Sequence, residues 1–241
     1  YRPKAACCAS PGGFCYGVAM ALKIDPHLAE RLGCDGHLPP VPQERLTRDA
    51  LIQRFAAPPP WQTDADNELW IRAKEFVPAS VLVPLVMREQ VSVLLTQRTA
   101  HLSKHAGQIS FPGGRIEPSD AGPAEAALRE ADEEIGLSAG SVTVLGYLNP
   151  MLTITGFRVY PVVALIDAGY AAKPDGIEVA ELFEAPLALF LDQSNERVFE
   201  MVFQGKARRL VEFQWQEFRI WGATATMLIN LRQRLQGQIC A

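Results

Sequence analysis

Apolar residues along the 241-residue chain recur with two different periods, and the changes of period mark out elements. Aliphatic and β-branched runs at residues 79–86 and 91–96 predict two strands, and the polar Arg88-Glu89-Gln90 between them predicts a hairpin. Residues 142–148 and 159–166 predict two more strands. Residues 197–203 and 207–213 alternate about Gln204-Gly205-Lys206, the pattern of a second hairpin. Elsewhere the spacing is helical. Residues 47–55 place Leu46, Ala50, Leu51 and Phe55 on one side, and Pro58-Pro59-Pro60 ends that segment. Ala124, Ala127, Leu128, Ala131 and Ile135 form a second apolar stripe, and residues 222–235 a third. Residues 183–191 are expected to form one short helix. Strands and helices interleave without strict alternation and without an internal repeat, which predicts an α+β or mixed α/β class.

The first 42 residues have a different character. Pro11, Gly12 and Gly13 interrupt the segment around Cys7, Cys8 and Cys15, and Pro39-Pro40-Val41-Pro42 has the composition of a linker. Residues 1–42 are therefore expected to be a poorly ordered extension and residues 43–241 the domain. Met20 opens Met-Ala-Leu-Lys-Ile-Asp, so residues 1–19 are expected to be an upstream extension or fusion remnant. A signal peptide is the rival, but the breakers deny it an apolar core.

Composition narrows the partners. Hydrophobic content of 48% and charged content of 21% are ordinary for a globular protein. A net charge of −4 gives no bulk attraction to nucleic acid or anionic membranes. No apolar run approaches the roughly 20 residues of a membrane span. The five cysteines include no CxxC pair and lack the spacing of a zinc site, which predicts a reducing, cytoplasmic setting.

The chemistry concentrates at residues 113–137. A glycine pair, Gly113-Gly114, leads into the helix that carries Glu130, Glu133 and Glu134, and Gly136 follows. On a helix these three glutamates project from neighbouring positions and repel one another. Arg129 can pair with Glu133, but one arginine does not neutralise three carboxylates. Hard oxygen ligands in this arrangement suit Mg²⁺ or Mn²⁺. A solvated acidic helix face is the alternative.

The stretch resembles the Nudix box, G-x5-E-x7-R-E-U-x-E-E-x-G-U with U aliphatic. Arg129-Glu130-Ala131-Asp132-Glu133-Glu134-Ile135-Gly136-Leu137 matches its second half. In the first half the acidic position falls on Asp120, with one extra residue before Arg129. The preceding residues 94–114 resemble LLTxR-[SA]-x3-R-x3-G-x3-FPGG, the signature of the coenzyme A pyrophosphatase branch. Leu94, Leu95, Thr96, Arg98, Gly107 and Phe111 to Gly114 match it. Thr99 stands at the serine or alanine position, and Ser103 stands where the signature has arginine. Residues 155–163, 178–187 and 220–225 are similar to further stretches of that branch.

The resemblance implies an α/β/α sandwich around a mixed sheet, and hydrolysis of coenzyme A to 3',5'-ADP and 4'-phosphopantetheine. It implies Glu130, Glu134 and Glu133 as metal ligands, with the Gly113 carbonyl completing the site. Glu133 or the loop residue Glu178 is the expected general base, and Arg129 orients Glu133. Arg98, Lys104 and His105 are expected to receive phosphate oxygens, with Gly113 and Gly114 allowing close approach. The implied partner is a small nucleotide-type substrate, with no nucleic acid or membrane partner and a homodimer left open. Two alternatives stand: a pyrophosphatase for ADP-ribose, NADH or a nucleoside triphosphate, which residues 94–114 argue against and Ser103 keeps open, and a non-catalytic metabolite-binding regulator.

Overall fold

The computed structural model describes residues 30–32, 40–57, 76–101, 105–203 and 206–236. In chain order the elements are β1 (Glu30–Leu32), α1 (Arg48–Ala56), β2 (Val77–Met87), β3 (Ser92–Arg98), β4 (Ile109–Ser110), β5 (Gly113–Arg115), α2 (Pro123–Ile135) and β6 (Val142–Tyr147). They continue as β7 (Met151–Leu152), β8 (Phe157–Asp167), β9 (Val179–Pro186), α3 (Leu187–Leu191), β10 (Arg197–Phe203), β11 (Lys206–Trp215), β12 (Phe218–Trp221) and α4 (Gly222–Gln236).

An eight-stranded mixed sheet forms the centre. β2 and β8 run parallel along their whole lengths, from Val77 opposite Phe157 to Met87 opposite Asp167. The other pairings are antiparallel. A smaller four-stranded sheet has the order β1-β10-β11-β12.

One departure from regular pairing builds the site. β2 and β3 pair only at their hairpin end, Leu85 with Val93 and Val86 with Ser92. Beyond that they part, and residues 109–115 fill the fork. β4 pairs with β3 through Thr96 and Ser110, and β5 pairs with β2 through Val81 and Gly113. The Leu82 N–H donates to the Pro112 carbonyl between them at 2.9 Å. The Gly-Gly turn is thereby threaded into the sheet as strand.

Both faces of the sheet are covered. Leu82, Val86, Leu94, Val162 and Ile166 pack under Ala127, Ala131 and Ile135 of α2. The neighbouring Val83, Leu85, Leu95 and Leu165 face the other way, toward Leu51 and Phe55 of α1, Phe190 of α3, Phe213 of β11 and Leu228 of α4. The two-residue period of the strands sorts consecutive residues into these two cores. Burying a residue such as Ile135 contributes about 1.5–3 kcal/mol. The result is the expected α/β/α sandwich, and its class is α+β.

The helices predicted near residues 47–55, 124–135 and 222–235 form as α1, α2 and α4. Thr47 caps α1 by accepting from the Ala50 N–H at 3.3 Å. Both hairpins form, although residues 204–205 of the second turn lie outside the described residues. Residues 183–191 are a correction. The helix is only Leu187–Leu191, and Phe183 to Pro186 belong to β9, paired along β3. A long-range backbone ladder overrides the local pattern there. β4, β5, β7 and β12 are short strands that the apolar pattern does not mark. The expected extension contributes one described strand, β1, to the smaller sheet. No described helix is long and apolar enough to cross a membrane.

Candidate functional site

α2 starts without a side-chain cap; Pro123 occupies its first turn, and Glu125 reaches back to accept from the Ala121 N–H. It ends at Gly136, whose φ of +62° is left-handed. There the Gly136 N–H donates to Asp132 and the Leu137 N–H to Ala131. Ser80, fully buried on β2, donates to the Pro123 carbonyl at 2.7 Å and anchors the start of the helix to the sheet.

β5 lies close against β2 on one side and the Glu130 side chain of α2 on the other. A Cβ on Gly114 would sit 2.4–2.6 Å from the Glu130 carboxylate, and one on Gly113 would sit 2.4 Å from the Ser80 carbonyl oxygen. Gly113 is required because its neighbours are the backbone of β2, whereas a side chain at Gly114 would displace the Glu130 carboxylate.

Glu134 is only 6% exposed. Its Oε2 accepts from the Gly113 N–H at 3.1 Å, and its Oε1 lies 3.8 Å from the Arg98 guanidinium. Burial raises its pKa to about 8, against the opposing pull of the Gly113 N–H and Arg98. Burial also raises the pKa of Glu130, and repulsion from Glu133 and Glu178 adds to the shift. Glu178 accepts from Arg98 at 3.0 Å and raises the pKa of Glu134 as well. The structure therefore gathers Glu130, Glu134, Glu178, Arg98, Gly113 and Gly114.

Glu133 points elsewhere. Its side chain is 59% exposed and accepts from Arg129 at 3.1 Å. Arg129 is fully engaged by the protein. It also donates to Glu130 at 3.0 Å, to the Arg115 carbonyl at 3.1 Å, and through Nε and Nη2 to the two oxygens of Asp120 at 3.0 and 3.2 Å. The arginine lowers the Asp120 pKa. Asp120 also accepts from the Glu117 N–H at 2.8 Å, so it closes a turn and holds Arg129 in place. The acidic residue of the altered first half thus acts outside the helix, which begins three residues later.

His105 is exposed, with a φ of +58°, and its Nδ1 pairs with Gln108 Oε1 at 2.8 Å. It belongs to the loop that Arg98 closes, where the Arg98 N–H donates to Gln108 and the Gly107 N–H donates to Arg98. Lys104 and Ser103 lie outside the described residues.

Sequence reasoning missed the supports of Glu178. Asp175 accepts the N–H groups of Ile177, Glu178 and Val179 at 2.9–3.2 Å. Thr99, almost fully buried, donates its N–H to the Glu178 carbonyl and its hydroxyl to the Ile177 carbonyl, each at 2.9 Å. The Asp175-Gly176 pair was the available signal, since it has turn chemistry.

The donor set suits a divalent cation. Glu130 and Glu134 are two covered carboxylates on one helix face, and burial disfavours the charge on each in the way a bound cation would offset. No three His, Cys, Asp or Glu side chains close on one point among the described residues, so the pair is a partial ligand set.

A family model described as NUDIX domain matches residues 77–199. The protein named "Uncharacterized Nudix hydrolase NudL" from Salmonella typhimurium is 37% identical over 187 residues, 78% of this chain and 94% of that protein. The protein of that name from Salmonella typhi gives the same figures. Among solved structures, a C. elegans Ap4A hydrolase binary complex aligns with a TM-score of 0.40 and 19% identity, over 47% of this chain and 84% of that one. The NUDIX domain of Shewanella oneidensis NrtR, complexed with ADP ribose, aligns at 0.38 and 22%, over 53% and 85%.

Proposed function

This chain belongs to the Nudix hydrolase family, and from that premise we propose that it is a metal-dependent pyrophosphatase that splits the diphosphate of coenzyme A or its derivatives into 3',5'-ADP and (acyl-)4'-phosphopantetheine. The observation that carries the chemistry is the pair Glu130 and Glu134, neighbouring covered carboxylates whose pKa values burial raises in spite of Arg129 and Arg98. The signature-like residues 94–114 carry the choice of substrate.

Nudix hydrolases generally use a divalent ion such as Mg²⁺ or Mn²⁺; here Glu130, Glu134 and the Gly113 carbonyl would hold it, and it would supply neutralisation of phosphoryl charge and a more acidic water. The protein's own groups supply the rest. Glu178 accepts the proton of the attacking water as the new P–O bond forms and the bridging P–O bond breaks. Glu133, the further ligand or alternative base that the family resemblance implies, would have to turn from Arg129 to join the pair. Arg129 holds Glu130 and Glu133 at fixed angles and is itself held by Asp120. Arg98 leaves Glu178 to pair with the diphosphate, and Lys104 and His105 receive the remaining phosphate charge. The catalytic domain is residues 43–241, and the cysteine pattern supports a cytoplasmic setting.

Incubation with coenzyme A, acyl-coenzyme A, ADP-ribose and NADH, each with Mg²⁺ or Mn²⁺, tests the proposal. Mass identification of 4'-phosphopantetheine and 3',5'-ADP is the expected result. Cleavage of ADP-ribose alone would transfer the chemistry to another nucleoside diphosphate derivative, the reading that Ser103 keeps open. No cleavage of any of them would leave a metabolite-binding regulator.

A further inference from the structure

The loop that carries Glu178 has almost no side-chain anchor. Ile177 is 72% exposed and the Glu178 side chain 50% exposed, and the first buried residue is Val179. A loop with so little buried surface is held by its hydrogen bonds or not at all. Those bonds converge on one side chain. The Asp175 Oδ1 accepts from Ile177 and Glu178 at 3.1 Å and from Val179 at 2.9 Å. Gly176, with φ at +73°, makes the left-handed turn that aims those N–H groups at the carboxylate.

Asp175 is also fixed to α2. Its own N–H donates to the Glu134 carbonyl at 2.9 Å, and the Lys173 N–H donates to Ile135 at 2.8 Å. A short chain of bonds thus runs from the backbone of one metal-ligand candidate, through Asp175, to the backbone of the candidate base. Thr99 pins the far side of the loop from the end of β3.

We propose that Asp175 is a positioning residue that sets the Glu178 carboxylate relative to Glu134 and so fixes the base against the metal-binding pair. The proposal rests on the assignment of Glu178 as general base. Burial opposes a charge on Asp175, but the N–H groups of Val179, Glu178 and Ile177 outweigh it and keep the carboxylate ionised.

The test compares Asp175→Ala, Asp175→Asn, Glu178→Gln and the double variant Asp175→Ala/Glu178→Gln on coenzyme A. Misplacing a catalytic group by an ångström costs up to about 100-fold, so Asp175→Ala should lower kcat by about tenfold or more with KM within about twofold. Asp175→Asn keeps the Oδ1 acceptor and should recover to within about threefold of the native kcat. The double variant should be no slower than Glu178→Gln alone. Hydrogen exchange at the amides of Ile177, Glu178 and Val179 should quicken by about tenfold or more in Asp175→Ala while α2 stays protected. This readout needs neither metal nor substrate.

A slow Glu178→Gln beside an unimpaired Asp175→Ala overturns the proposal through Asp175. Losses that multiply in the double variant, or unchanged exchange, overturn it as well. A native kcat for Glu178→Gln overturns it through the assignment of the base, which is a distinguishable failure. If Asp175→Ala does not fold, Thr99→Val takes its place. It removes only the hydroxyl bond to Ile177 and should show a smaller loss with the same non-additivity against Glu178→Gln. Multiplying losses there overturn the proposal.

Discussion

Glu134 and Glu184 are both largely covered carboxylates near an arginine, and their surroundings differ in kind. Glu184 lies on β9 by the β2–β3 hairpin. Arg88 donates to both of its oxygens, through Nε at 2.8 Å and Nη2 at 2.7 Å. Ser92 donates to one of these oxygens and Tyr170 to the other, the latter at 2.9 Å. The Arg88 fork, with Ser92 and Tyr170, lowers the Glu184 pKa. Glu134 receives one N–H and a guanidinium 3.8 Å away, and its pKa rises to about 8. The first cluster is complete as folded; the second is the one to which the proposed function adds a cation. A buried carboxylate left short of partners is costly to fold around, and such groups gather at functional sites.

Substitution should separate the two. Glu134→Gln should lower turnover about 1000-fold at saturating Mg²⁺ while the metal-free protein keeps or gains thermal stability. Glu184→Gln should do the reverse, with kcat within about twofold of native.

The pH dependence of the metal-free protein is the next largest effect. Glu134 binds its proton more tightly folded than unfolded, so its contribution is fully present below the ordinary carboxylate value of 4.5 and is lost as the pH rises through about 8. Between pH 5 and 8 that loss is on the order of 3–4 kcal/mol, read by denaturant titration. Glu134→Gln should flatten the slope. Glu184 tilts the curve the other way, because its lowered pKa gives stability that disappears on acidification.

Smaller effects follow. Breaking the Glu184 cluster by Glu184→Gln should cost about 1–3 kcal/mol, read as a fall in Tm. Asp120→Asn weakens the hold on Arg129 and should reduce kcat by roughly three- to tenfold with no change in the substrate cleaved. An effect of Asp120→Asn as large as that of Glu134→Gln would place Asp120 among the groups that contact metal or substrate.

The same contrast explains what the sequence could disclose. α2 was legible because its apolar stripe and its three glutamates lie within one helix, where spacing determines direction. The Gly113-Gly114 pair was legible as a close approach, though not as a strand wedged between β2 and β3. At Phe183 to Pro186 the local pattern reads as helix although the residues form β9, because the pairing with β3 joins residues about ninety positions apart. Asp120, Asp175 and Thr99 were missed or left undecided for a related reason. Each acts through bonds that form only once distant segments meet, Asp120 on Arg129 nine residues away and Thr99 on a loop nearly eighty residues away. The direction of the Glu133 side chain, toward Arg129 rather than Glu134, is likewise a property of the folded site.

The central claim is that Glu184 is satisfied by the Arg88 fork, whereas Glu134, with only a distant Arg98, is a ligand for a divalent cation. Calorimetric titration of Mn²⁺ into the native protein, Glu134→Gln and Glu184→Gln at pH 8 tests it most directly. The native protein and Glu184→Gln should bind with equal affinity, and Glu134→Gln should bind about 100-fold more weakly or not at all. Equal binding by all three would contradict the account.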